Sequence, residues 1–97
     1  MNKAEFVQRV AQLSGLSARD SRKAVEAIFG TEGEIGVIAE SLGNDQKINL
    51  PGFGIFETRT RPGRESRNPR SGELMKIPSS NVPAFRAGNH LKSIVRG

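Results

Sequence analysis

Several residue types that commonly carry chemistry are missing from this chain of 97 residues. Cysteine is absent, which excludes disulfides and thiolate metal sites. His90 is the single histidine, and no group of carboxylates has the spacing of metal ligands. We therefore expect no metal site, no cofactor, no small-molecule substrate and no catalytic residues, and so no enzyme.

Large aromatic residues and long apolar runs are also scarce. The chain has no Trp or Tyr, and only 35% of its residues are hydrophobic. No apolar run approaches membrane-spanning length and no signal peptide opens the chain, so we expect an intracellular protein with no membrane partner. A single domain of this length has a small core, and a partner chain is therefore expected to stabilise it.

Positive charge is abundant, and it is concentrated in the second half of the chain. The net charge is +5, and residues 51–97 hold nine Lys or Arg against three Asp or Glu. Residues 1–50 hold six against seven. Ten of the fifteen cations are Arg, which pairs bidentately with phosphate. A solvated basic face is the simpler explanation, whereas a polyanionic partner is the functional one.

The first half predicts a helical hairpin. Asn2 and Glu5 have the spacing of a capping box, and Gly15 can end a helix, so helix 1 is expected over about residues 3–13. The same pattern at Ser17 starts helix 2 near Ala18. Glycines at 30, 33 and 36 favour a break after Phe29, with a restart at the capping pattern of residues 31–34. One continuous kinked helix remains an alternative, because Ile28, Ile35 and Leu42 are spaced by sevens.

The second half predicts strands and a basic arm. Residues 47–50 and 53–56 alternate as strands interrupted by Pro51-Gly52, and glycines beside Phe53 suggest close backbone packing or a bulge. Residues 57–77 then predict a long β-hairpin with a cationic end that holds almost no apolar residues. Such an arm is suited to a polyanion that orders it. Residues 82–85 are expected to open a last short helix, with Pro83 in its first turn.

These segments resemble the HU/IHF family of bacterial DNA-bending proteins. The resemblance lies in Met1-Asn2-Lys3, in Gly52-Phe53-Gly54-Ile55-Phe56, in Arg67-Asn68-Pro69 with Ser71-Gly72, and in residues 82–88 with Leu91-Lys92. It covers nearly the whole chain and keeps the spacing between these blocks. Three departures stand out: Ser66 replaces a usual Gly or Ala, Asn81 and Asn89 replace common lysines, and residues 30–36 lengthen the second helix region.

The resemblance implies an α+β fold and an intertwined dimer. The expected fold comprises an N-terminal helical hairpin, an antiparallel β-sheet with a long protruding β-hairpin arm, and a short C-terminal helix. The chain is expected to form a single domain over residues 1–97, with a helical dimerisation part at 1–46, the sheet and arm at 47–80, and the C-terminal helix at 81–97. The family implies a homodimer or heterodimer in the cytoplasmic nucleoid.

The resemblance also implies largely sequence-independent binding and bending of double-stranded DNA through two arms in the minor groove. Pro69 is then the intercalating wedge, since its rigid ring has no N–H to leave unpaired. From the residues alone, Pro69 could equally be a turn residue. Alternatives are a site-preferring bender of the IHF type and an RNA-binding basic module. The expected DNA-binding residues are Lys3, Arg59, Arg61, Arg64, Arg67, Asn68, Pro69, Arg70, Lys76, Arg86 and Lys92.

Overall fold

Two capped helices open the chain, as the sequence predicts. In the computed structural model, which describes residues 1–97 without a gap, α1 spans Lys3–Ser14 and α2 spans Ala18–Phe29. The side chains of Asn2 and Ser17 each accept a hydrogen bond from the backbone N–H three residues further on. Gly15 takes the left-handed conformation, with φ of 77°, that ends α1. Local capping therefore fixes both helix boundaries.

The glycine-rich segment 30–36 forms a closed loop. The predicted break is confirmed, because α2 ends at Phe29 and the third helix, α3, spans Val37–Gly43. The predicted restart at residues 31–34 is wrong, and so is the continuous-helix alternative. The N–H of Gly36 donates to the carbonyl of Gly30 at 2.8 Å, and a Cβ on Gly36 would lie 2.7 Å from the carbonyl of Ile28. The two ends of the loop, Gly30 and Gly36, therefore lie close together, and the next helix begins only after Gly36.

The first 44 residues form one compact unit, Met1–Asn44, in which α1 packs against α2. Val7 and Val25 are buried between these two helices, and the rings of Phe6 and Phe29 meet edge to face with centroids 5.9 Å apart. Ser21 lies in the same helical unit with no exposed surface, and its hydroxyl has no hydrogen-bond partner. The unit therefore has a small core that includes one unsatisfied polar group.

We expect the substitution Ser21→Ala to raise the free energy of unfolding by about 1 kcal/mol, because it removes a buried, unpaired hydroxyl and improves helix propensity. The measurement is urea unfolding at a fixed protein concentration. Ser14→Ala is the matched control, since the Ser14 hydroxyl donates to the carbonyl of Val10 at 2.6 Å. That control should not stabilise the protein. Destabilisation by Ser21→Ala would show that the hydroxyl contributes to the fold.

The second compact unit, Asp45–Gly97, is built on an antiparallel sheet of three strands. Its strands are β1 (Ile48–Leu50), β2 (Gly54–Arg61) and an eight-residue strand at Ser80–Ala87, with β2 in the middle. Phe85 packs on Phe56, with ring centroids 4.7 Å apart, and on Phe53 at 5.6 Å. Gly54 allows this approach, because a Cβ there would lie 2.6 Å from the Phe85 ring. A Cβ on Gly54 would also lie 2.5 Å from the backbone carbonyl oxygen of Arg86, so of the two predicted alternatives, close backbone packing or a bulge, close backbone packing is confirmed.

The segment predicted to begin the C-terminal helix is instead a strand. Residues 80–87 pair with β2 along their whole length, so a helix over 81–97 and the placement of Phe85 on it are wrong. Pro83 favoured the helical interpretation, but it is tolerated here because this strand lies at the edge of the sheet. The last helix, α4, spans Asn89–Arg96. None of the four helices combines the length and the apolar composition needed to cross a membrane.

Candidate nucleic-acid interface

A two-stranded ribbon continues the central hairpin of the second unit. Beyond β2 the chain forms β3 (Arg64–Arg67) and β4 (Leu74–Ile77), which pair with each other; the strand at Ser80–Ala87 follows as β5. Arg61 pairs with Ser80, and Arg64 pairs with Ile77, so two residues are skipped on each strand and the register is unchanged. A long β-hairpin is therefore present, with an interruption between its base and its end, but the predicted bounds of 57–77 are too short, because residues 57–61 pair with residues 80–84 beyond the predicted end at Ile77.

The interruption consists of Pro62-Gly63 on one strand and Pro78-Ser79 on the other. Proline cannot donate a ladder hydrogen bond, which explains why pairing stops here. A Cβ on Gly63 would lie 2.9 Å from the carbonyl oxygen of Ile77 and 3.1 Å from the nitrogen of Ser79. The opposing backbone therefore leaves no room for a side chain at Gly63, and the two strands stay close together where their pairing is broken.

Exposed cations lie on β2, which leads to the ribbon, and on both faces of the ribbon itself. Arg59 and Arg61 are two residues apart on β2 and share one face, whereas Arg64 and Arg67 are three apart on β3 and lie on opposite faces. Lys76 lies across from Glu65 in the ladder. The predicted arm cations are all exposed: Arg59, Arg61, Arg64, Arg67, Arg70 and Lys76.

The end of the ribbon is a tight, hydrogen-bonded turn. The side-chain oxygen of Asn68 accepts from the backbone N–H of Arg70 at 2.9 Å, and the N–H of Gly72 donates to the Asn68 carbonyl at 2.8 Å. Gly72 has a positive φ of 73°, which glycine adopts readily. Pro69 lies between these contacts and is exposed. The turn thus presents the proline ring on an ordered loop, with Asn68 serving first as a turn-forming residue.

On the sheet, a carboxylate gathers three of the cations. Oε1 of Glu57 accepts hydrogen bonds from Nε and Nη2 of Arg59 at 3.3 and 3.1 Å, and it forms an ion pair with Nε of Arg86 at 3.1 Å. Nζ of Lys47 lies 3.8 Å from Oε2. The Glu57 side chain is only 11% exposed, whereas the two guanidinium side chains are more than half exposed. The cluster therefore presents a net positive surface over a largely buried anion.

The hydrogen bond from Arg59 is the main reason that the pKa of Glu57 lies below its usual value of 4.5. The charges of Arg86, Arg59 and Lys47 lower that pKa further, against the opposing effect of burial. A carboxyl group with a lowered folded-state pKa stabilises the fold fully above its unfolded-state pKa. That contribution is lost as the pH falls through the folded-state value.

We expect the free energy of unfolding to fall as the pH is taken below about 4.5, because protonation of Glu57 breaks its contacts with Arg59 and Arg86. Urea unfolding between pH 6 and pH 3 measures this in the parent and in Glu57→Gln. The variant should lose part of the decline that the parent shows. If the free energies of unfolding of the parent and of Glu57→Gln differ by the same amount at every pH, protonation of Glu57 does not cause the decline.

The other two predicted contacts lie elsewhere. Lys3 belongs to the first unit, where its ammonium group forms an ion pair with Glu26. Lys92 lies on α4 and lines a shallow groove together with Arg86, Gly54 and Gly88. The structure thus brings Arg59 and Arg86 together at one carboxylate and places Lys92 near Arg86.

Glu57 and Lys47 are the members of this cluster that sequence reasoning missed. The available signal was the spacing Glu57-Thr58-Arg59, which places a carboxylate and a guanidinium on the same face of any strand. The contribution of Arg86 depends on its position diagonally across from Glu57, on a segment whose sequence predicts a helix. Only the correct strand assignment brings these residues together.

The fold and its charges define a class of protein: a small α+β chain that presents exposed cations on a ribbon and on one face of a sheet, as basic nucleic-acid-binding modules do. Residues 1–96 match the family model described as bacterial DNA-binding protein, and the chain belongs to that family. The resemblance to HU proteins is therefore confirmed.

Relatives in this family match over the whole chain. "DNA-binding protein HU" of Geobacillus stearothermophilus is 48% identical over 96 residues, which is 99% of this chain and all of the relative. "DNA-binding protein HU 1" of Bacillus subtilis (strain 168) is 47% identical over 97 residues, which is all of this chain and 99% of the relative. An Anabaena HU–DNA cocrystal structure has a TM-score of 0.79 at 37% identity, covering 98% of this chain and 97% of that one.

Proposed function

We propose that this protein binds double-stranded DNA and bends it, acting as an architectural protein and not as an enzyme. The observation that carries the proposal is the exposed cationic ribbon with an ordered, exposed proline at its end, in a member of a DNA-binding protein family. Five arginines along and beside the ribbon match the repeating charge of a phosphate backbone. The relative of similar fold that was cocrystallised with DNA supports DNA as the polyanion.

The ribbon is proposed to enter the minor groove, where arginine is favoured by the negative potential. Arg61, Arg64 and Arg67 would contact the groove and its phosphates, while Pro69 would enter a base step and kink the duplex. Architectural proteins of the minor groove, HU-type proteins among them, commonly bend DNA by inserting apolar side chains, so this mechanism is general to the class. Lys3, Lys76, Arg86 and Lys92 are proposed to contact phosphates outside the groove.

The working form is proposed to be a dimer, with two identical chains as the simplest case and two related chains as the alternative. Its support is the amount of apolar surface that the single chain leaves exposed, which includes Phe6, Phe29, Phe53 and Phe85. Two ribbons would then act on one duplex. Localisation in the cytoplasmic nucleoid follows from DNA as the partner, and contribution to nucleoid organisation is the proposed role.

Equilibrium binding to a labelled random-sequence duplex tests the function. The affinity should fall linearly on logarithmic axes as salt increases, by a slope of about 0.9 for each phosphate neutralised. Unlabelled duplex DNA should compete better than duplex RNA, whose minor groove is wide and shallow. A strong preference for a duplex containing an A-tract would favour a site-preferring bender, and better competition by RNA would contradict the proposal.

A further inference from the structure

The cluster around Glu57 contains one negative charge and three positive charges, which should have opposite effects on the affinity for DNA. A carboxylate in the middle of a DNA-binding surface repels phosphate, so its simplest effect would be to weaken binding. Yet Glu57 is nearly buried on the central strand, while Arg59 and Arg86 remain more than half exposed. The position of each charge relative to solvent therefore matters more than the net charge.

The atoms that Glu57 contacts leave a defined part of each arginine available. Glu57 accepts hydrogen bonds from Nε and Nη2 of Arg59, and its ion pair with Arg86 is formed through Nε of that arginine. When a guanidinium contacts one anion through Nε, its opposite edge, formed by Nη1 and Nη2, still has N–H groups that can bind a second anion. That edge matches two oxygens of a phosphate, which is the bidentate geometry that arginine favours.

The strand register explains why one carboxylate can hold both arginines. Arg59 lies two residues after Glu57 on β2 and therefore on the same face. Arg86 pairs with Ile55 on the neighbouring strand, which places it diagonally across from Glu57 on that face. The residue directly across from Glu57 is Ala84, whose small side chain leaves space for the guanidinium groups.

We propose that Glu57 is a positioning residue for DNA binding: it holds the Nε sides of Arg59 and Arg86 so that their terminal edges are ready for backbone phosphates. The inference rests on the proposed function, since it assumes that DNA contacts this face of the sheet. It assigns to an anionic residue a favourable role in binding an anionic ligand. Lys47 completes the cluster through Oε2 of the same carboxylate.

The test compares Glu57→Gln with the matched control Glu65→Gln in duplex DNA binding. Both substitutions remove one negative charge, but Glu65 lies on the ribbon across from Lys76 and holds no arginine cluster. Glu57→Gln should weaken binding about tenfold and flatten the salt slope by about one to two units, because two phosphate-binding arginines lose their support. Glu65→Gln should bind as tightly as the parent or slightly more tightly.

A double-mutant cycle and a spectroscopic readout separate positioning from a structural effect. In the Arg59→Ala/Arg86→Ala background, Glu57→Gln should no longer weaken binding. In the parent, the Nε–H signal of Arg59 in a nitrogen–proton NMR spectrum should exchange slowly with solvent, because that N–H donates to Glu57, and Glu57→Gln should make it exchange fast. If Glu57→Gln does not fold, Glu57→Asp replaces it, since it keeps the charge but shortens the reach, and it should weaken binding as well.

Failure of the positioning role can be distinguished from failure of the proposed function. If the parent binds duplex DNA with a steep salt slope but the Glu57 variant binds as tightly as the Glu65→Gln control, the positioning role is overturned while the proposed function stands. If the parent itself does not bind duplex DNA, the proposed function fails, and the positioning role that rests on it fails as well.

Discussion

Dilution is expected to unfold this protein, because the folded single chain leaves too much apolar surface in water. Large apolar side chains are exposed in both units, among them Phe6 and Phe29 in the first and Phe53 and Phe85 in the second. Ile94 and Val95 on α4 are 77% and 80% exposed, and only Val7 and Val25 form a buried apolar core. A second chain that covers these surfaces would make folding and association one process.

The expected result is an unfolding midpoint in urea that rises with protein concentration. Each tenfold increase in concentration should add about 1.4 kcal/mol to the apparent stability of a coupled dimer. Phe85→Ala should lower that stability by about 3 kcal/mol or more, because it removes a ring that packs on Phe53 and Phe56. Leu74→Ala on the ribbon is the control and should change little, since Leu74 is 61% exposed.

Sedimentation at micromolar concentration can contradict the prediction that folding requires a partner chain. A folded monomer there, with an unfolding midpoint independent of concentration, would mean that the exposed apolar residues do not require a partner chain. The dimer would then have to be abandoned, together with the expectation of two ribbons on one duplex.

Pro69→Ala is expected to separate bending from binding. The substitution leaves the charge unchanged, so the salt slope should stay the same while the ability to kink DNA is largely lost. Unstacking an intact base step costs about a few kcal/mol, and the proline ring is proposed to offset that cost. On a duplex with a nick that lacks its 5′-phosphate, which ligase cannot seal and where stacking is already weakened, the loss should be smaller. The readout is ligase-catalysed circularisation of a duplex of about 100 base pairs, shorter than the persistence length of about 150.

Two comparisons support the interpretation of that experiment. Pro51→Ala makes the same chemical change in the turn before β2, outside the ribbon, and should circularise DNA as the parent does. Arg67→Ala should weaken binding and flatten the salt slope together, because it removes a charge beside the turn. Circularisation by Pro69→Ala at the parent's rate would make Pro69 a turn residue only.

Much of this fold is encoded in local signals that a sequence displays directly. Asn2 and Ser17 cap α1 and α2 at the predicted positions, and Gly15 ends α1, because capping depends on a few neighbouring atoms. The ribbon was predictable from its alternating flanks and from Asn68 and Gly72 at its turn, because these are local signals of a hairpin.

What the sequence did not predict depends on contacts between distant residues. Pro83 suits the first turn of a helix and the edge of a sheet equally well, and only pairing of β5 with β2 decides between them. The same pairing brings Arg86 to Glu57, so the error in β5 also concealed the cluster on the sheet. The restart of the helix at Val37 likewise depends on the contact between Gly30 and Gly36.

Energy transfer between dyes at the two ends of a short, intact duplex tests the central claim most directly. As the parent protein is added to saturation at low salt, the transfer efficiency should rise, because the ends approach when the duplex is bent, and it should return to the free value when salt releases the protein. Saturated binding, shown by fluorescence anisotropy, with no change in transfer efficiency would contradict the claim that this protein bends DNA.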